Sequence, residues 1–267
     1  MDNSEVNTLL CGQKGLFILE KAMEIAEDIL GTKKLATHPD FLLVQSQKAL
    51  GVEEAELILE KAATVPRDAK NMVILVDSLD SMSVPAQNKL LKFVEDDNHA
   101  ILIGTAYSKG VIQTLRSRMH CLEFSAYSRE EFSRYLAAKG LADEDTLYYV
   151  TGGCPGLLEQ DIIWDIVKIF QAVSGAMKGN GDLMDVLGLV KEKDNDCFFK
   201  LYREYIPQLY IYIGQQLMDG QVYSDSLYSK IITLHEHLDI CREEYYTIEC
   251  FFEAMAKISK KEETVRT

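Results

Sequence analysis

The stretch "MVILVDSLDSMSVPAQNKLLKFVED", residues 72 to 96, fixes how the first half of the chain is read. Its first five residues are apolar without interruption, as expected of a strand covered on both faces rather than one with a wet side. The run stops at Asp77, and a polar turn follows. "VPAQNKLLKFVED" (84–96) has helical spacing, with Pro85 in the first turn, where its missing N–H costs nothing. An aspartate at the carboxyl end of a buried parallel strand stands where open α/β sheets bind their ligands.

Outward from this unit the same alternation repeats. "NTLLC" (7–11), "FLLVQS" (41–46), "AILIGTA" (100–106) and "HCLEF" (120–124) read as strands. Residues 16–30, 52–65 and 111–118 read as the helices between them. The pattern predicts an α/β fold with a parallel five-stranded sheet flanked by helices. After Ser125 the strands stop. "SREEFSRYLAAKG" (128–140) starts with Ser128 and Glu131 in capping-box spacing and ends at Gly140. "ADEDTLYYVTGG" (142–153) is expected to repeat that plan, and 154–177 to continue as helix. "KGNGD" (178–182) reads as a linker. The expected domains are an α/β domain over 1–125, a small helical lid over 126–178, and an all-α collar domain for oligomerisation over 179–267.

Composition narrows the function. The formal net charge of −14 argues against a free-standing nucleic-acid binder, because phosphate neutralisation supplies most non-specific affinity. The six cysteines are scattered, without C-x-x-C or histidines at ligand spacing, so no metal site is expected. No apolar run is long enough to cross a bilayer and the N-terminus lacks a secretory pattern; a cytoplasmic location without membrane contact is expected.

"LLCGQKGLFILEKAMEIA" (9–26) has the layout of strand, glycine loop and helix that cradles phosphates. Counted from Gly12, the pattern G-x-x-x-x-G-K-[ST] requires glycine, lysine and a hydroxyl at 17 to 19. The chain supplies Phe17, Ile18 and Leu19 there, with Gly15 and Lys14 inside the loop. Beyond Asp77, Ser78 stands where an ATPase carries its catalytic carboxylate, and Asp80 comes two residues later. No cofactor is expected. "TLRSRMHCLEF" (114–124) differs: Ser117-Arg118 ends a short helix at the sheet's edge, where a guanidinium could enter a neighbour's site. The plainer reading of Arg118 is a surface arginine in a salt bridge.

The segments "HPDFL", "VILVDSLDSMSVPAQNKLLKFVED", "ILIGTA", "LRSRM" and "YSREEFSRYLAAKGLADED…TGGCPGLLEQ" together resemble the delta-prime subunits of the bacterial DNA polymerase III clamp loader, members of the AAA+ group. The resemblance runs from about residue 8 to about 170. Its most specific part is Asp77, Pro85, Ala86, Asn88, Leu90, Leu91, Lys92 and Glu95. It implies that Gly12 to Leu19 is the family's nucleotide loop, Asp77 its magnesium aspartate, and Ser78 the position of its catalytic glutamate. Its Ser-Arg-Cys motif falls on Ser117, Arg118 and Met119, and a γ-phosphate-reading arginine falls on Leu157. The family's leading helix is nearly absent and its zinc-binding cysteines are missing. The implied protein is not itself an enzyme: it is a degenerate ATPase within a polymerase holoenzyme. It would partner a gamma/tau-type ATPase subunit and the delta subunit, give Arg118 to a neighbour in trans, and reach the sliding clamp and primed DNA through the complex.

Three other readings stand beside it: a delta-type clamp-opening subunit, a self-sufficient AAA+ ATPase with an unusual loop, and an AAA+-shaped adaptor outside replication. Retention of Ser117-Arg118 favours delta-prime over delta, and Phe17-Ile18-Leu19 opposes the ATPase. The tyrosine-rich tail (198–252) is expected to pack in cores and interfaces rather than stack on bases, since basic residues are not interleaved.

Overall fold

The computed structural model of the 267-residue chain describes residues 6–46, 48–96, 99–177, 208 and 212. The chain forms two compact units, Met1–Ala126 and Tyr127–Thr267. The linker read at 178–182 and nearly all of the 179–267 segment lie outside the described residues.

In the first unit, β1 (Thr8–Cys11), β2 (Phe41–Val44), β3 (Met72–Val76), β4 (Ala100–Ala106) and β5 (His120–Glu123) make one sheet in the order β2-β3-β4-β1-β5. Every pairing is parallel. The helices are α1 (Ile18–Leu30), α2 (Val52–Ala62), α3 (Val84–Glu95) and the one-turn α4 (Gln113–Arg116). The three inner strands are buried on both faces (β2 and β5, at the margins, are not), which is why they read as unbroken apolar runs. Leu9, Cys11, Ile74, Val76 and Leu102 face one way, onto Ile58 of α2, Leu90 and Phe93 of α3, and Leu115 of α4. Leu10, Val73, Leu75 and Ile103 alternate to the other side, where α1 lies with Ala22 and Ala26 buried.

Two polar side chains fasten this unit. Gln87 of α3 is fully buried and donates to the carbonyls of Met82 and Gly110 at 2.8 and 3.0 Å. Its Oε1 accepts the Ile112 N–H at 2.8 Å, so the start of α3 and the approach to α4 are held together. Asp40, just before β2, is buried and accepts the backbone N–H groups of Arg67, Asp68 and Ala69 at 2.6, 2.7 and 2.8 Å. Burial alone would raise its pKa, but the three N–H bonds prevail and hold the carboxyl below its usual range.

In the second unit, α5 (Arg129–Lys139), α6 (Glu144–Thr151) and α7 (Asp161–Met177) pack through Phe132, Leu136, Leu147, Val150, Ile163 and Phe170. The capping box on α5 forms: the Ser128 N–H donates to Glu131 Oε2 at 2.8 Å, and the Glu131 N–H to Ser128 Oγ at 3.3 Å. The expected repeat on α6 does not. Asp143 at its start is left-handed (φ 66°) and makes no side-chain cap. Its carboxylate instead accepts Gln171 Nε2 of α7 at 2.7 Å, a tertiary bond in place of a local one. The helix expected from 154 is also broken. Pro155–Glu159 is a 3₁₀ turn and Gln160 is extended before α7 begins, while Trp164 Nε1 donates back to the Leu158 carbonyl at 2.9 Å. Tyr212 is buried among Tyr149 and Phe170, ring centroids 5.4 and 5.5 Å away, and its hydroxyl lies 3.3 Å from Thr146 Oγ1. For this residue of the tail, core packing is what is observed.

Candidate functional site

All parallel strands of the sheet end on one edge, and the glycine loop lies there. Gly12 follows β1 and donates its N–H to the Ala106 carbonyl at 3.0 Å. A Cβ on Gly12 would come within 2.8 Å of Ile18 Cδ1 and 2.9 Å of the Phe124 carbonyl oxygen. Gly15 has φ 85°. Phe17 is left-handed as well (φ 55°, ψ 36°) and its carbonyl accepts the Lys21 N–H, opening α1. The loop thus takes a positive φ at Phe17, where the phosphate-loop pattern would have glycine, a conformation that costs a residue with a Cβ roughly 1–2 kcal/mol. Ile18 points into the protein, 1% exposed, and fills the space beside Gly12. Leu19 is half-buried and Lys14 exposed.

Asp77 leaves the same edge at the end of β3. Its Oδ1 accepts Thr105 Oγ1 at 2.6 Å and the Tyr107 hydroxyl at 3.0 Å; its Oδ2 accepts Gln45 Nε2 at 3.3 Å. Both carboxylate oxygens therefore have protein donors. Burial, with the Asp77 charge beneath it, pushes the Tyr107 hydroxyl well above its ordinary pKa, so it remains a donor across the physiological range. Ser78 is left-handed (φ 59°), and its N–H donates to Thr105 Oγ1 at 2.9 Å. Asp80 Oδ2 accepts Ser108 Oγ at 2.6 Å. Nothing at 17 to 19 can neutralise a phosphate or hold a metal through a hydroxyl, and the residues present do not fit a magnesium nucleotide. Leu157, in the 3₁₀ turn of the second unit, carries no charge either.

Thr105, Tyr107 and Gln45 are the residues that sequence reasoning missed. The register pairs Val76 with Gly104, so the next residues along, Asp77 and Thr105, fall side by side. A threonine one residue before the end of the apolar run "AILIGTA" was the available signal, but it becomes readable only once the strand order is known.

The arginines lie on α4 and just after it. Leu115 and Met119 sink into the core and fix this segment. Arg116 turns toward β1 and β5, with Nη1 3.6 Å from Cys11 Sγ and Nη2 paired with Glu123. Burial, assisted by Glu123, pushes the Cys11 thiol pKa up, so it stays protonated. Ser117 is exposed and donates Oγ to the Thr114 carbonyl at 3.1 Å. Arg118 turns the other way: Nε donates to Glu95 Oε1 at 2.5 Å and Nη1 to the Thr114 carbonyl at 2.8 Å. The salt bridge of the plainer reading is therefore present, and the Arg118 side chain is still 39% exposed. Arg118 lies two residues before the start of β5, whose His120 N–H donates to the Asn7 carbonyl, so it lies at the amino edge of the sheet. Four residues of strand, on the order of 13 Å, separate that edge from the chain's own glycine loop.

An all-parallel β2-β3-β4-β1-β5 sheet with a loop-to-helix turn at its carboxyl edge is the frame of an open α/β domain, whose ligands bind at that edge. Residues 6–128 match the model of a family described as DNA polymerase III, delta subunit. The chain is 30% identical over 118 residues to DNA polymerase III subunit delta' of Bacillus subtilis (strain 168), a match covering 42% of this chain and 35% of the relative. The sequence similarity is confined to the α/β domain, and the match spans about a third of the length of that relative. A crystal structure of a DNA polymerase III gamma subunit-related protein from Thermotoga maritima superposes with a TM-score of 0.52 at 12% identity, covering 96% of this chain and 95% of the other. At that identity the likeness speaks for the fold alone. Among the described residues no helix is long and apolar enough to cross a membrane, and no three acidic, cysteine or histidine side chains cluster as metal ligands do.

Proposed function

We propose that this chain is a non-hydrolysing, delta-prime-like subunit of a bacterial clamp loader, which completes a neighbour's ATP site with Arg118. The observation that carries the reading is the contrast between the two edges of one sheet. At the carboxyl edge Ile18 is buried where a phosphate lysine would stand, and Asp77 is engaged by Thr105, Tyr107 and Gln45. At the amino edge Arg118 is displayed beside Ser117, beyond reach of its own loop.

The neighbour would be a gamma/tau-type ATPase subunit, with the delta subunit elsewhere in the assembly. The 179–267 segment would join the collar, and the lid would span 126–178. In the neighbour's site the planar guanidinium would meet charge developing on the transferred phosphoryl group. The sliding clamp and primed DNA would be engaged through the complex, and the chain would then work in the cytoplasm. Its own degenerate site would take no nucleotide and no metal.

The test is clamp- and primed-DNA-stimulated ATP hydrolysis by the reconstituted loader with Arg118→Ala, assembly being followed by gel filtration. Loss of roughly a thousandfold at the dependent site, with assembly intact, is the expected outcome. Stoichiometric Mg-ATP binding by the isolated full chain would instead favour the self-sufficient ATPase.

A further inference from the structure

We infer that Glu95, at the end of α3, is the positioning residue that aims Arg118 outward. This rests on the trans-arginine reading above.

A guanidinium carries five N–H donors in a rigid plane. Two of them are taken from within the chain: Nε by Glu95 Oε1 at 2.5 Å and one Nη1 hydrogen by the Thr114 carbonyl at 2.8 Å. These bonds hold the plane at two of its nitrogens. Among the described residues no partner takes the outer pair formed by Nη2 and the second Nη1 hydrogen, the fork that matches two oxygens of a phosphoryl group. The Thr114 carbonyl belongs to the last turn of α4, where helix carbonyls have no partner in the helix. A carboxylate on one side and a carbonyl on the other fix the plane rather than merely neutralise its charge.

Both anchors stand on segments fixed by buried residues. Leu115 and Met119 hold the arginine's own segment in the core, and Leu90 and Phe93 hold α3 beneath Glu95. As a stabilising device the pair would achieve little, because half-exposed ion pairs contribute about 0–1 kcal/mol. As an aiming device it matters far more, since a misplacement of about 1 Å in a catalytic group costs up to a hundredfold.

The experiment is a cycle in the reconstituted loader: Glu95→Ala, Glu95→Gln, Arg118→Ala and the Glu95→Ala/Arg118→Ala pair. Each is scored by gel filtration, thermal unfolding, and kcat and KM for stimulated ATP hydrolysis. We expect Glu95→Ala to assemble and melt like the parent while kcat falls roughly ten- to hundredfold at unchanged KM. Glu95→Gln, whose amide oxygen still accepts from Nε, should stay within about threefold of the parent. The double variant should equal Arg118→Ala, because residues acting as one unit are not additive. An unchanged kcat in Glu95→Ala overturns the inference. So does a raised kcat, which would make Glu95 a latch, and so does an additive double variant. If Arg118→Ala itself hydrolyses normally, the trans-arginine reading fails first and takes the inference with it.

Discussion

The carboxyl edge and the amino edge of this sheet are built from opposite materials. At the carboxyl edge, where AAA+ proteins keep charge ready for phosphate, the chain has placed apolar bulk and internal hydrogen bonds: Ile18 against Gly12, and Asp77 under Thr105, Tyr107 and Gln45. At the amino edge, Asp40 and Glu95 each hold a defined partner, and Arg118 reaches solvent. The first edge has the strand, glycine loop and helix layout that cradles phosphates, with a left-handed Phe17 before the helix. On the proposed reading, the difference teaches that a fold would be retained for what its outer edge presents while its inner pocket is filled.

The first way to break this comparison is to put the lysine back. Ile18→Lys would bury an ammonium in a site that is 1% exposed, beside Gly12. We expect a loss of several kcal/mol in urea unfolding, on the order of what a buried unpaired charge costs. Tolerance of that lysine, with Mg-ATP binding restored, would mean the pocket is merely unoccupied rather than filled.

Next in size is Asp40→Asn, which probes the charge-held edge. An amide offers its NH₂ to a cluster of N–H donors, so we expect about 2–3 kcal/mol of destabilisation at neutral pH. The pH dependence has a definite sign. The folded pKa lies below the unfolded value of about 4, so the contribution is fully present above that value and fades as pH falls through the folded pKa. The gap between variant and parent should therefore narrow in acid; a gap independent of pH would remove the carboxylate from the account.

Gly12→Ala should cost about 1–3 kcal/mol, because its Cβ meets both a side chain and a carbonyl oxygen and the neighbourhood must shift. A silent substitution would mean that Ile18 can move away and that the pocket is open. The smallest expected effect is on stability in Arg118→Ala, within about 1 kcal/mol in thermal unfolding, since its salt bridge is exposed. A larger loss would make Arg118 a structural residue and blur the contrast between the edges.

How much of this was legible in the sequence depends on how local each signal was. The buried strands were readable because a strand covered on both faces has to be apolar throughout, as 72–76 and 100–106 are. The α5 cap was readable because Ser128 and Glu131 satisfy each other three residues apart. The same plan was expected of 142–153, but Gln171 in a different helix claims the Asp143 carboxylate, and no spacing rule foresees that. The loss of the phosphate lysine could be read at residue 18. That Ile18 turns inward to plug the floor, and that Phe17 accepts a glycine's conformation, could not. The three donors on Asp77 come from 45, 105 and 107, and only the strand order brings them together.

One measurement weighs the two edges directly: stimulated ATP hydrolysis by the reconstituted loader with Lys14→Ala, the loop's single cation, beside Arg118→Ala. The account predicts that Lys14→Ala stays within about twofold of the parent while Arg118→Ala falls roughly a thousandfold at the dependent site, as for a lost trans arginine. A large loss from Lys14→Ala with little from Arg118→Ala would contradict it, returning the nucleotide to this chain's own loop and leaving Arg118 an ordinary surface residue.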